Sequence, residues 1–156
     1  AGLYSQAGLI LSQARESGIT AQFFGADGVD SPKLLEIAGE SANGIYITTP
    51  FIFGLEGNEE AERVHAAFKQ KFGKSPDTWA ALTYDAIGMI AEAITEGGEK
   101  RKAIRDYLGN LTSPEKGYQG ITGLTYFDEH GDCLKPAYVK QVAQGQFIAA
   151  SVQMLD

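Results

Sequence analysis

Apolar side chains recur at helical intervals in some segments of this chain and form short, nearly continuous runs in others. The helical spacing predicts helices at residues 5–17, 31–38, 58–72, 77–95 and 99–108. The short runs predict strands at residues 21–25, 44–48, 123–127, 137–142 and 147–152. Several boundaries carry suitable residues: Ser5 and Pro32 can open helices, Gly18 can end a helix, and Pro50 can end a strand.

The order of these elements indicates the fold class. Helices and strands alternate early in the chain, and the tail is rich in strands. The last two strands are separated only by the turn-like residues 143–146, which predicts a hairpin. We therefore expect an α/β fold in which helices cover a mainly parallel sheet and the late strands are added to that sheet.

Length, charge and hydropathy narrow the class of protein. A chain of 156 residues suits one ordinary domain and leaves little room for two complete ones. The formal net charge of -7 works against nucleic-acid binding, which needs a clustered cationic face. No apolar run approaches the ~18 residues that cross a bilayer, and residues 1–10 lack the basic start of a signal peptide. We expect a globular protein without a nucleic-acid partner.

No residue pattern typical of a metal site, a cofactor site or a catalytic nucleophile occurs. Cys133 is the single cysteine, and His65 and His130 are too few for a zinc site. The acidic residues 128–132 lack the spacing of a calcium loop and predict a turn. The glycines do not have the spacing of a dinucleotide site. The sequence therefore predicts no metal, no cofactor and no enzyme chemistry.

Five stretches, in this order and spacing, resemble the Leu/Ile/Val-binding branch of the type I periplasmic binding proteins, the solute-binding components of ABC transporters. The stretches are GLY at residues 2–4 with the helix end ARESG at 14–18, FGADGV at 24–29, GIYITTP at 44–50, AALTYDA at 80–86 and FDEHGD at 127–132. The resemblance spans nearly all of the chain. It implies a three-layer α/β/α fold with a mainly parallel sheet and a C-terminal β-hairpin.

By this resemblance the chain corresponds to the C-terminal half of a protein with two lobes joined by three crossing segments. Residues 1–50 would belong to the second lobe, residues 51–132 to the first, and residues 133–156 would return to the second. Residues 49–51 and 132–136 would be two of the crossings, each with a proline that restricts bending. Either the chain is a fragment or a partner chain supplies the N-terminal half, and alone we expect the chain to self-associate.

The resemblance also implies ligand-binding residues, each of which has an ordinary structural alternative. Tyr4 matches the family's cleft tyrosine, or it packs at a strand end. Asp27 aligns with the carboxylate that pairs with a ligand α-ammonium, where well-known members carry Glu, or it only satisfies backbone N–H groups of its turn. Trp79 matches an aromatic wall against the ligand side chain, or it packs its helix. Phe51 and Tyr84 are weaker candidates, and we expect Tyr84 to pack in the core instead.

The function implied is capture of an amino acid, branched-chain or aromatic, or of a similar small carboxylate, between two lobes that close around it. The protein would deliver this ligand to an ABC permease, and it would be periplasmic or an extracytoplasmic lipoprotein. Two alternatives remain open. One is a ligand-sensing receptor domain of the same fold. The other is a small α/β enzyme or receiver domain with Asp27 or Asp85 as its acidic centre.

Overall fold

The structure is a computed structural model that describes residues 2–55 and 57–153. The chain forms two compact units, the first built from Ala1–Leu55 with Pro136–Asp156 and the second from Glu56–Lys135. None of the described helices combines the length and the apolar composition needed to cross a membrane.

The elements follow the predicted order closely. The helices are α1 (Tyr4–Glu16), α2 (Pro32–Ala38), α3 (Glu59–Phe72), α4 (Thr78–Gly97) and α5 (Arg101–Leu108). The strands are β1 (Phe24–Gly25), β2 (Tyr46–Thr49), β3 (Tyr118–Gly120), β4 (Gly123–Thr125), β5 (Tyr138–Ala143) and β6 (Gln146–Ala149). Short 3₁₀ turns span Asp27–Val29, Gly39–Ala42 and Pro114–Lys116. The strand β3 has no counterpart among the predicted elements.

Capping side chains explain where α3 and α4 begin. The side-chain oxygen of Asn58 accepts a hydrogen bond from the N–H of Ala61 at 3.1 Å, and that of Asp77 accepts one from the N–H of Ala80 at 2.9 Å. Each bond satisfies a backbone donor of the first turn that has no partner inside the helix. Gly73 ends α3 in the left-handed conformation, with φ of 70°.

The start of α1 differs from the prediction. The helix begins at Tyr4 after Leu3, and Ser5 lies inside its first turn. The N–H of Leu3 donates to Oε1 of Gln6 at 3.2 Å. Ser5 is therefore not the cap, because the side chain of Gln6 folds back onto the residue before the helix.

The four-stranded sheet of the first unit has the order β1–β2–β5–β6. β1 pairs with β2 in parallel, whereas β2 with β5 and β5 with β6 are antiparallel. The α/β class and the C-terminal hairpin are confirmed. The expectation of a mainly parallel sheet does not hold for the strand pairs in the described residues, because β5 and β6 return as a hairpin beside β2.

One face of this sheet carries the core of the unit, and the other face is open. The helices α1 and α2 pack on the first face, where the buried apolar side chains are Leu11, Val29, Leu34, Ala38, Ala42, Ile45, Ile47 and Val142. The alternation of side chains along strands places Phe24, Tyr46 and Val139 on the opposite face. There they line a depression of about 460 Å³, and Phe24 is 76% exposed although a buried strand was predicted.

In the second unit α4 contacts α5 and β3, and β3 pairs with β4 as a hairpin. The carboxylate of Asp85 in α4 is buried and accepts hydrogen bonds from the N–H groups of Ile121 and Thr122, both at 2.8 Å, and from the Thr122 hydroxyl. Tyr84 is 45% exposed, so its expected core position is wrong. Because α4 turns about 100° per residue, Tyr84 lies on a different face from its buried neighbour Asp85.

Candidate ligand-binding site

Two connecting segments leave the sheet of the first unit at the same edge. The Asp27 turn (Asp27–Val29) follows β1, and the segment Pro50–Phe51 follows β2. Since β1 and β2 are parallel, their carboxyl ends lie side by side, which is where ligands bind in open α/β sheets. The Asp27 turn contacts both β2 and α1.

Asp27 is exposed, and its carboxylate has spare capacity to accept hydrogen bonds. Its Oδ1 accepts from the N–H of Gly28 at 3.0 Å, which holds the side chain against its own turn. Within residues 2–55 and 57–153, no cationic side chain forms an ion pair with Asp27. A carboxylate can accept about four hydrogen bonds. The geometry therefore leaves most of this acceptor facing solvent.

Tyr4 is half-buried in the first turn of α1, and its ring packs against the core of the first unit. α1 approaches the Asp27 turn closely: a Cβ placed on Gly28 would lie 3.3 Å from Cδ2 of Leu3. The pKa of Lys33 is raised mainly by its hydrogen bond to Glu36, and the Tyr4 hydroxyl makes a smaller contribution in the same direction. Tyr4 thus stands at the helix end that lies beside the Asp27 turn.

Phe51 has a different environment from Tyr4 and Asp27. It is only 5% exposed, and its ring meets that of Phe53 edge-on with 4.7 Å between centroids. Such edge-to-face contacts stabilise apolar packing. In this conformation Phe51 packs inside its unit, and its ligand contact stays a prediction.

Trp79 belongs to the second unit, whereas Tyr4, Asp27 and Phe51 belong to the first. It lies in the first turn of α4 and is 45% exposed. A helix-packing tryptophan is usually far more buried than this. The exposed indole therefore offers a broad apolar surface to a ligand or to another chain.

Sequence reasoning missed a buried ion pair beside the Asp27 turn. Nζ of Lys140 lies 2.7 and 3.0 Å from the carboxylate oxygens of Asp30, and the hydroxyl of Thr49 donates to the same carboxylate at 2.7 Å. The side chains of Lys140 and Asp30 are 12% and 4% exposed. A signal was present, because Lys140 stands between Tyr138 and Val142 on the buried face of a strand and a lysine there needs an acidic partner.

Comparison with known proteins identifies the family. The sequence profile described as "Periplasmic binding protein" matches residues 2–146. The chain belongs to this family. The predicted type I fold is confirmed, because the similar solved structures are solute-binding proteins with this fold.

The most similar proteins include binders of branched-chain amino acids. A leucine-, isoleucine-, valine-, threonine- and alanine-binding protein of Pseudomonas aeruginosa is 28% identical over 144 residues, which cover 86% of this chain and 38% of that protein. A leucine-binding protein from Thermotoga maritima has a TM-score of 0.86 at 32% identity over 97% of this chain. The LivJ substrate-binding protein of Streptococcus pneumoniae, solved with isoleucine, gives the same values. The chain spans 43% of each of these two solved chains.

Proposed function

We propose that this chain is part of an extracytoplasmic solute-binding protein that captures an amino acid for an ABC importer and catalyses no reaction. The observation that carries the proposal is the exposed carboxylate of Asp27 at the carboxyl ends of two parallel strands, which forms no ion pair with any residue that the structure describes. A carboxylate in this position can hold the ammonium group of a zwitterionic ligand. The names of the similar proteins support a branched-chain amino acid as that ligand.

Each remaining site residue then has a defined role. The hydroxyl and ring of Tyr4 line the ligand cleft beside the Asp27 turn, and Phe51 contributes packing behind it. Trp79 forms an aromatic wall against the ligand side chain. A tryptophan at this position makes the ligand pocket shallower than a smaller residue would, and it favours ligands with flat or aromatic side chains. A small carboxylate with an aromatic side chain is therefore a second ligand class to test.

We assign the first unit to the second lobe and the second unit to the first lobe of a two-lobed protein. The unit boundaries, after Leu55 and Lys135, lie close to the expected lobe boundaries after residues 50 and 132. Pro50 and Pro136 lie near these boundaries and restrict the hinge. The rest of the lobes would come from sequence that this chain does not contain, since the chain matches less than half of its relatives' length.

Exposed apolar side chains support this division. On α4 Ile87, Ile90 and Ile94 are 64%, 44% and 38% exposed, and the open sheet face carries Phe24 and Tyr46. Apolar side chains arranged in this way normally pack against another element. We propose that the N-terminal half covers both surfaces, and that the chain self-associates when that half is absent.

The direct test of ligand capture is native mass spectrometry of the full-length protein purified without refolding, with calorimetry against a panel of amino acids. The substitution Asp27→Asn should weaken binding of the amino acid by about 2 kcal/mol or more, because it removes one member of a desolvated charge pair. Asp106→Asn, at an exposed position in α5, is the matched control and should leave affinity unchanged. Equal affinities for Asp27→Asn and wild type would remove Asp27 from the site.

A receiver-type enzyme is less well supported, because one of its two candidate acids has a structural role. Asp85 is 2% exposed and holds the β3–β4 turn through backbone N–H groups. Thermal denaturation separates the alternatives, since only a true ligand raises the melting temperature by mass action. We expect a rise with an amino acid and none with Mg²⁺. A receptor domain would bind the same ligand and differ in the sequence that flanks it.

A further inference from the structure

The buried pair of Asp30 and Lys140 connects three segments that are distant in sequence. Asp30 directly follows the Asp27 turn, Thr49 ends β2, and Lys140 lies in β5. The Asp30 carboxylate receives one short hydrogen bond from the Thr49 hydroxyl and two from the Lys140 ammonium, all between 2.7 and 3.0 Å. The Lys140 ammonium also lies 5.7 Å from the ring centre of Phe147. These charge-assisted hydrogen bonds, made by side chains of two different strands, hold the Asp30 carboxylate in place.

The backbone carries this geometry to Asp27. The N–H of Asp30 donates to the carbonyl oxygen of Asp27 at 2.9 Å, and the N–H of Val29 donates to that of Ala26 at 3.1 Å. The turn is only three residues long, so a fixed Asp30 leaves little freedom to the residue that opens it. The backbone of Asp27 is therefore linked to a charge pair that is almost wholly buried.

The same pair holds the end of β2 through the hydroxyl of Thr49. The hydroxyl of Thr49 lies 3.2 Å from the carbonyl oxygen of Phe51 as well as 2.7 Å from Asp30. A hydroxyl has one proton, and the nearer, charged oxygen of Asp30 takes it. The end of β2 and the Asp27 turn are thus held to a common anchor.

We propose that Asp30 and Lys140 are positioning residues of the ligand site, which hold the Asp27 turn and the end of β2 in the arrangement that receives the ligand ammonium. This inference rests on the proposed function. A buried ion pair is weak support for stability alone, because the desolvation of its charges offsets their attraction. Preorganisation of an exposed binding group is a role in which fixed geometry raises affinity directly.

The test compares Lys140→Met, Asp30→Asn and the double variant with wild type in the full-length protein. The control is the double variant Lys102→Met with Asp106→Asn, which removes an exposed pair on α5. Three quantities are measured: the urea midpoint of unfolding, amide hydrogen exchange in residues 26–31, and the dissociation constants of L-leucine and L-isoleucine by calorimetry. Each single variant leaves one charge buried without its partner, so both should lower the midpoint.

The double variant separates positioning from stability. With both charges removed, the unfolding midpoint should return towards wild type. We expect exchange in residues 26–31 to stay at least about tenfold faster, and both dissociation constants to stay about tenfold higher, which corresponds to ~1.4 kcal/mol. The control variant should change neither the exchange rate of residues 26–31 nor the two dissociation constants.

The measurements distinguish failure of the positioning role from failure of the proposed function. If the wild-type protein binds the probes and the double variant binds them equally well, the positioning role is wrong and the proposed function stands. If the wild-type protein binds neither probe nor any other amino acid of the panel, the proposed function is wrong and this inference is overturned with it.

Discussion

The buried carboxylate of Asp85 provides the sharpest test of how the second unit is held together. It accepts hydrogen bonds from two backbone N–H groups and from the hydroxyl of Thr122, and Nζ of Lys135 donates to that hydroxyl at 3.0 Å. The substitution Asp85→Ala leaves the N–H groups of Ile121 and Thr122 buried without this acceptor. Each unsatisfied donor costs about 1–3 kcal/mol. We expect a total loss of about 3–5 kcal/mol in the free energy of unfolding.

The loss can be read from urea denaturation followed by circular dichroism. With a slope of about 1–3 kcal/mol per molar urea, the midpoint should fall by roughly 1–5 M. Asp77→Ala is the matched control, because it removes the aspartate that caps the same helix and accepts one backbone N–H at 2.9 Å, and it should cost only ~1 kcal/mol. Equal midpoints for the two variants would refute the assignment of Asp85 as the anchor of the β3–β4 hairpin.

Two further predictions concern α4 and its contacts. Trp79→Ala should weaken binding of leucine or phenylalanine more than binding of alanine or glycine, because the lost contact area scales with the ligand side chain; calorimetry across these ligands tests this, and a uniform loss would indicate a damaged helix instead. The pKa of Tyr107 is raised to about 12 because its hydroxyl donates to Glu92, so the stabilisation from this bond is present below pH ~10 and is lost as the pH rises towards 12. Ultraviolet titration of tyrosinate should therefore show Glu92→Gln lowering this pKa, and an unchanged titration curve would contradict the contact.

Local signals were sufficient for most elements. Pro32, Asn58 and Asp77 mark the starts of α2, α3 and α4 where the structure has them, because caps act within one turn of the helix they begin. The hairpin of β5 and β6 followed from its short turn, and the turn at residues 128–132 is confirmed by two backbone N–H groups that donate to Asp128.

The features that the sequence did not predict share a physical cause, because each of them depends on a contact with residues that are distant in sequence. β3 has only three residues, the last of which is Gly120, and becomes a strand only by pairing with β4. β1 has only two paired residues, and Phe24 is exposed because no described element covers its face of the sheet. The pair of Asp30 and Lys140 joins positions 110 residues apart. No local pattern contains such a contact, although a lysine on an apolar strand face indicates that one exists.

The exposed apolar surfaces also predict how the 156-residue chain behaves without its N-terminal half. Complete burial of an isoleucine contributes ~1.5–3 kcal/mol. From the exposed fractions of Ile87, Ile90 and Ile94, covering the α4 face of one copy would contribute about 2–4 kcal/mol. Covering Phe24 and Ile148 on the sheet face would contribute a similar free energy. A symmetric dimer buries the same face on both copies, so a dimer through the α4 face would gain about 4–8 kcal/mol, which only modestly exceeds the association cost of at least about 4 kcal/mol. We expect a dimer that forms at micromolar concentration and dissociates on dilution, and size-exclusion chromatography with light scattering tests this. Ile87→Lys should shift the equilibrium to monomer, whereas Lys102→Met, on exposed α5, should not. A stable monomer that binds leucine tightly would show that this chain forms a complete site, and the proposed division between two lobes would be wrong.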